Sequence, residues 1–294
     1  MSNNIDSLQR FLIENSDVRG ELVRLDETWQ TILAKHDYPP RVRGLLGEIS
    51  AATALLGSTL KFDGSLIVQM QGNGPVSLLV VECGSDGAMR ATAKWHDVPA
   101  DGSLGDLVGD GKLVITIDPR RGRERYQGIV AIEGDTIAGA LERYLQQSEQ
   151  LATRLWLATS DTTAAGLLLQ RLPAARHGDD ADENWNRAVM LADTVTGDEL
   201  LRLGQHELLY RLFHEEDVRV FDPAPLHFAC SCSRERVVRA LRIVGYDELQ
   251  QVLREQGSVS VNCEFCNEHY EFDKVDVEQV FAAAVTTEAA PTQH

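Results

Sequence analysis

Four of the five cysteines stand in two tight pairs near the carboxyl end: Cys230-Ser231-Cys232, then thirty residues, then Cys263-Glu264-Phe265-Cys266. No other feature constrains this chain as strongly. Thiolates two or three residues apart can share one ion. Two such pairs brought together supply the four sulfurs of a closed tetrahedral site for one Zn2+ per chain in the reduced state. The same thiols can instead close as disulfides, so the stretch reads either as a structural clip or as a redox switch.

A module of this size, roughly 60 residues, is marginal by burial alone. A structural zinc supplies roughly 10 to 16 kcal/mol of apparent binding free energy in finger peptides, as much as a whole domain's usual net stability of about 5 to 15 kcal/mol. Metal and fold are therefore expected to be linked. His227 and His269, each three residues from a cysteine, are alternative ligands, but four thiolates already fill a tetrahedron. A filled tetrahedron offers no position to a substrate water, and the sequence assembles no nucleophile, base and oxyanion set, so an enzyme is not expected. Oxidation of the thiolates would remove the ligands. Three disulfide connectivities are then possible. Loop closure favours neighbouring thiols while strain opposes a Cys-x-Cys bridge, and the connectivity stays open.

The formal net charge of -17 argues against a nucleic-acid partner, because neutralising phosphates takes clustered Lys and Arg. No apolar run approaches the ~20 residues that span a bilayer, so no membrane partner is expected. Residues 1–20 carry Asp6, Glu14 and Asp17 without a basic leader or a small-residue cleavage site, and a cytoplasmic location is expected. Thiols stay reduced there, which favours metal ligands or redox sensors over permanent staples.

Along the chain, two strands are expected between Ile5 and Leu25, a helix over Glu27 to His36, and a longer core helix after Pro39-Pro40 whose Val42, Leu45, Leu46, Ile49, Thr53 and Leu56 recur at three and four. Strands follow at Leu66 to Met70 and Val76 to Val81 around the Gly72-Asn73-Gly74-Pro75 turn, then at Met89 to Trp95, Leu113 to Ile117 and Tyr126 to Ile132. Neither Gly72-x-Gly74 nor Gly109-Asp110-Gly111-Lys112 has the spacing of a phosphate loop. Lone Cys83 reads as a core-lining residue. Arg120, Arg121, Arg123 and Arg125 read as a solvated hairpin tip, with an anion-binding patch as the alternative. A helix over Thr136 to Gln147, a strand over Thr153 to Thr159 and an apolar segment from Thr163 to Leu172 complete the first part. Strands and helices alternate without a βαβ rhythm, so the fold class expected is α+β.

Composition shifts at Ala174. Residues 176–222 hold 12 acids against 5 bases, and they carry short amphipathic helices around Trp185, Leu200 and Leu208 whose apolar faces need a cover from elsewhere. His206-Glu207-Leu208-Leu209-Tyr210 lacks the second histidine of a zinc-protease helix. The organisation expected is a large mixed sheet-and-helix domain over 1–175, an acidic helical linker over 176–222, a zinc-binding module over 223–285 and a disordered tail over 286–294, with disorder setting in from Ala282.

The paired-cysteine spacing at the end of an acidic chain of this length resembles the redox-regulated heat-shock protein 33 chaperone family. The resemblance continues through Gly47-Glu48, Leu60-Lys61-Phe62-Asp63-Gly64, Gln71-Gly72-Asn73-Gly74-Pro75, Tyr126-Gln127-Gly128, Tyr144 with Ser148-Glu149-Gln150, and Leu169-Gln170-Arg171-Leu172-Pro173. Ala152 departs from the family pattern, where proline is expected, at a place remote from the cysteines. The resemblance implies a holdase that is inactive when reduced and zinc-bound. By the same resemblance, oxidation would join Cys230 with Cys232 and Cys263 with Cys266, release the zinc, unfold the module and linker, and promote homodimerisation and binding of unfolding clients, with hand-over to the heat-shock protein 70 system. The competing expectation is a constitutive interaction or RNA-associated protein with a purely structural zinc clip.

Overall fold

The computed structural model describes residues 6–59, 63–120, 124–132, 134–173 and 181–285. The chain divides into two compact units, Met1–Ala229 and Cys230–His294.

The first unit holds two six-stranded sheets. Sheet 1 has the order β10-β1-β2-β9-β8, with β11 also on β1, and sheet 2 the order β12-β5-β4-β3-β6-β7. Strands β1 (Ser7–Ile13) and β2 (Val18–Leu25) form a hairpin whose turn places Asn15 in the left-handed region at φ 57°. Helix α1 (Glu27–Leu33) starts where the Asp6 carboxylate accepts the backbone N–H of Glu27 and Thr28, at 3.1 and 2.5 Å. Helix α2 (Pro40–Thr59) carries proline at its start, where a missing N–H costs nothing, and buries Leu46, Ile49 and Leu55 completely. Its buried Ser50 and Thr53 hydroxyls donate to the carbonyls four residues back, at 2.7 Å each.

Sheet 2 follows: β3 (Gly64–Gln71), β4 (Val76–Gly84) and β5 (Ala88–Trp95), the short helix α3 (Leu104–Val108), then β6 (Lys112–Pro119) and β7 (Tyr126–Ala131). Helix α4 (Ile137–Ser148), capped by Thr136, leads to β8 (Thr153–Thr159) and β9 (Ala164–Arg171), which return to sheet 1. Pairings are antiparallel except β12 with β5, as expected for an α+β fold.

Sheet 1 is covered on both faces, and strand period explains how. Leu8, Val23, Leu25, Leu155, Ala164 and Leu168 point inward to α2 and sheet 2. Their neighbours Phe11, Leu22, Ala165, Leu167 and Leu169 point outward. Over that outer face lie the helices α5 (Ala181–Ala192), α6 (Gly197–Arg202) and α7 (Gln205–Phe213), which bury Ala188, Ala192, Leu200, Leu208, Leu209, Leu212 and Phe213 against it. Sheet 1 is thus the cover that the acidic helices were expected to need. Phe213 meets Phe11 with ring centroids 5.7 Å apart, and Phe11 in turn lies over Gly20 of the facing strand, where no Cβ would fit. Helix α6 is fixed by a capping box in which Thr196 Oγ1 accepts the Glu199 N–H and the Glu199 carboxylate accepts the Thr196 N–H.

After α7 the chain runs back as a strap. Short strands β10 (Val218–Val220) and β11 (Ala224–Pro225) pair with β1, and β12 (His227–Phe228) pairs in parallel with β5. Residues 223–229 therefore fall in the first unit, so the division stands seven residues later than the expected boundary at 223. The expected boundary near 175 lies outside the described residues.

The second unit contains α8 (Arg234–Val244), α9 (Tyr246–Gln256), the hairpin β13 (Val259–Asn262) with β14 (His269–Phe272), and α10 (Lys274–Val285). Its core is small: Leu241, Leu249, Val259, Phe272 and Val277 are buried together. Disorder expected from Ala282 is corrected here, since α10 runs through Val285 with Val277 and Val280 buried beneath it. Residues 286–294, expected to be a disordered tail, lie outside the described residues.

Candidate metal centre

The first cysteine pair sits on the approach to α8. Ser233 caps that helix, its Oγ accepting the Arg236 N–H at 3.3 Å, so Cys230 and Cys232 lie beside the helix's positive end. The second pair is held by the turn between β13 and β14. There the Cys263 N–H donates to the Glu268 carbonyl at 2.9 Å and the Asn267 N–H donates to the Cys263 carbonyl at 2.8 Å. Asn267 takes φ 58° in that turn, a conformation asparagine tolerates better than most residues.

These two supports bring the four sulfurs together. Cys230 Sγ is 3.7 Å from Cys263 Sγ, Cys232 Sγ is 3.3 Å from Cys266 Sγ, and all four ligand atoms lie within 4.8 Å of one another. A tetrahedron with Zn–S bonds of ~2.3 Å has sulfurs ~3.8 Å apart, so the spacing fits one closed four-sulfur site. The two close approaches run between the pairs, and with every sulfur within 4.8 Å distance does not select a disulfide connectivity. Burial pushes the Cys266 thiol up, with the neighbouring thiols adding to it, and burial likewise raises Cys232. Four sulfurs so placed become thiolates together when a cation compensates them.

Further residues hold the site, and spacing did not reveal them. Tyr270 Oη donates to Cys232 Sγ at 3.2 Å. Arg234 ties α8 to the hairpin and to α10: its guanidinium lies 4.2 Å from the Phe272 ring centroid, donates to the Glu271 carbonyl at 3.0 Å and pairs with Asp276 at 2.9 Å. Neither residue type is unusual at its position in the sequence, so only the fold identifies them.

The remaining sequence candidates lie elsewhere. His227 is in β12 of the first unit, and His269 Nδ1 bonds Asn262 Oδ1 at 2.7 Å; among the described residues neither joins the sulfur cluster. Cys83 is buried on β4, and burial pushes its thiol up to about 12, as a core-lining residue requires. The Gly72-to-Gly74 turn packs on the end of α3, with the Gly74 N–H spent on the Val108 carbonyl at 3.0 Å, so it is no phosphate cradle. Arg120 pairs with Asp86 at 2.7 Å and Arg125 with Asp118 at 2.9 Å, which weakens an anion-binding role; Arg121 and Arg123 lie outside the described residues.

Comparison with known proteins agrees with this architecture. The profile of the Hsp33 protein family matches residues 6–273. The 33 kDa chaperonin of Methylobacillus flagellatus is 49% identical over 290 residues, covering 98% of this chain and 99% of that protein. The 33 kDa chaperonin of Nitrosococcus oceani is 48% identical over 293 residues, covering 99% and 100%. The crystal structure of a 33 kDa chaperonin from Thermotoga maritima matches with a TM-score of 0.82 at 21% identity, over 96% of this chain and 99% of that one, a likeness of fold.

Proposed function

This chain belongs to the Hsp33 protein family, and we propose that it is a redox-regulated holdase chaperone of the cytoplasm, locked when reduced by one Zn2+ on Cys230, Cys232, Cys263 and Cys266. Bound there, the zinc supplies a structural cross-link; the closed donor set leaves no place for a substrate, which suits a chaperone better than an enzyme. A cluster of five buried apolar side chains among the described residues is a thin core for the second unit, so the cross-link is its main stabilising term.

Peroxide oxidises a thiolate to a sulfenic acid. A neighbouring thiol displaces water from it to form a disulfide, so two peroxides take four electrons per chain and yield two disulfides and water. Pairing of Cys230 with Cys232 and of Cys263 with Cys266 follows the family resemblance. The second unit then loses its fold. The strap joined to it at Ala229 pairs through strands of three, two and two residues, and the acidic helices α5, α6 and α7 repel one another once undocked. Their departure uncovers Phe11, Leu22, Leu167 and Leu169 on the outer face of sheet 1. That apolar face, on a chain kept soluble by its charge of -17, binds unfolding clients. The oxidised form pairs as a homodimer and hands clients to the heat-shock protein 70 system.

The observation that carries this reading is covalent order: the helices that cover sheet 1 lead into the strap, and the sulfur cluster begins at the residue after it. The test is peroxide with mild heat, followed by zinc release, thiol titration and light scattering of an unfolding client. One zinc released per chain together with suppressed aggregation is expected. Equal suppression by the reduced, zinc-loaded protein, or retention of zinc under oxidant, would overturn it.

A further inference from the structure

Strand β1 pairs with β2 along one edge and, among the described residues, with the strap alone along the other. On the strap side the Phe221 N–H donates to the Arg10 carbonyl at 3.0 Å and the Glu14 N–H to the Asp217 carbonyl at 2.8 Å. Backbone groups alternate between the two edges of a strand, so those of Arg10, Leu12 and Glu14 face the strap and those between them face β2. Without the strap, β1 is an open edge with unpaired donors and acceptors, ready to pair with another chain.

The strap fills that edge imperfectly. From Phe11 to Leu8 β1 takes three steps, whereas from Val220 to Ala224 the strap takes four, so a bulge falls around Asp222-Pro223. There the buried Gln9 side chain reaches across to donate to the Phe221 carbonyl. Pro223 and Pro225 have no N–H to give. An extended segment without bulge or proline would complete the ladder more fully than the strap does.

The strap's side chains show what the edge accepts. Val218 and Val220 pack against the cluster that holds Phe11 and Ile13, on the outer face of sheet 1. On the opposite face the Arg10 and Arg219 guanidiniums lie 5.9 and 5.4 Å from the Phe221 ring centroid. Apolar residues at alternate positions, with an aromatic one beside Arg10, therefore suit this edge.

We infer that the strap occupies a strand-docking site, and that once it leaves, the β1 edge receives an extended apolar segment of an unfolding client by main-chain pairing. Pairing of this kind draws its affinity from the backbone, which suits clients of unrelated sequence, while alternate side chains continue the apolar outer face of sheet 1. The inference deepens the holdase function proposed above and rests on it, because the strap must first depart.

The probes are labelled peptides that copy residues 216–226 without Pro223, which removes the bulge. One is unmodified, one is N-methylated at Phe221, whose N–H faces β1, and one at Val220, whose N–H faces away. On the full chain, oxidised with zinc release confirmed, the unmodified and Val220-methylated peptides are expected to bind alike. The Phe221-methylated peptide should bind about tenfold more weakly, since it lacks one main-chain hydrogen bond. None should bind the reduced, zinc-loaded chain. Bound peptide should restore the hydrogen-exchange protection of the Leu12 and Glu14 amides, and an unfolding client should displace it. Equal affinities of the two methylated peptides, or a client held while the peptide stays bound, would overturn the docking site and leave the holdase function standing. Protection of Leu12 and Glu14 that rises after oxidation with protein concentration alone would assign the edge to the strap of a second copy and overturn it as well. A strap that stays protected in an oxidised chain that suppresses no aggregation would overturn the docking site together with the function on which it rests.

Discussion

At the scale of single residues, the clearest handles are those that touch the sulfurs and those that carry charge into the core. Replacing Cys232 or Cys266 by serine leaves three thiolates, and zinc content measured on the purified protein is expected to fall from one per chain to near zero. Tyr270→Phe is milder. It removes the hydroxyl that donates to Cys232 Sγ at 3.2 Å, and outer partners of this kind typically change metal affinity by about 10- to 100-fold, so competition with a chelator should show a loss in that range. Glu21 offers a pH handle. It is 2% exposed on the α2 side of β2, with Oε2 unpartnered, and burial pushes its carboxyl up to about 7 against the pull of Arg19 and Ser58. A carboxyl raised in the folded state stabilises the fold fully below its unfolded value near 4.5, and that contribution is lost as pH rises through about 7. Glu21→Gln should therefore melt progressively higher than wild type between pH 5 and pH 8, the gap approaching on the order of 3 kcal/mol. Any pH dependence of the four-cysteine cluster is common to both proteins and cancels in the difference.

At the scale of elements, the decisive contact is the docking of α5, α6 and α7 on sheet 1. Phe213→Ala removes a side chain buried against Phe11 and should cost about 3 to 5 kcal/mol of docking. Suppression of client aggregation by the reduced protein is expected to set in at a lower temperature than in wild type, with zinc retained at that temperature. How much of this arrangement was legible beforehand follows from range. Strand β8 was read over Thr153 to Thr159, its observed span, and α2 announced itself by its apolar stripe, because both signals are local and periodic. The four cysteines were legible because metal chemistry couples residues across thirty positions by type and spacing alone. The strap was not: strands of two or three residues show no alternation, and their partners in β1 and β5 are more than a hundred residues away. Amphipathic faces on the acidic helices were visible, whereas the outward set on sheet 1 that receives them was not, since β9 is buried on both faces and reads as one continuous apolar run. Tyr270 and Arg234 escaped for the same reason, as contacts made only by folding. Helix α10 was underestimated because its last turns are plain alanine and valine, a composition that also suits a tail.

At the scale of the whole molecule, the chain has a large unit with an extensive apolar core, on which the acidic helices are docked, and a smaller one that carries the four-cysteine cluster. In the function proposed above, oxidation of four thiols in the second unit uncovers sheet 1 in the first. Hydrogen exchange of the full chain, reduced with zinc and then oxidised with zinc release confirmed, tests this most directly. Amides in α5, α6, α7 and the strap are expected to lose protection together with the second unit, while α2 and β3 to β6 keep theirs. Protection that persists in α5, α6 and α7 after complete oxidation and zinc loss would contradict it.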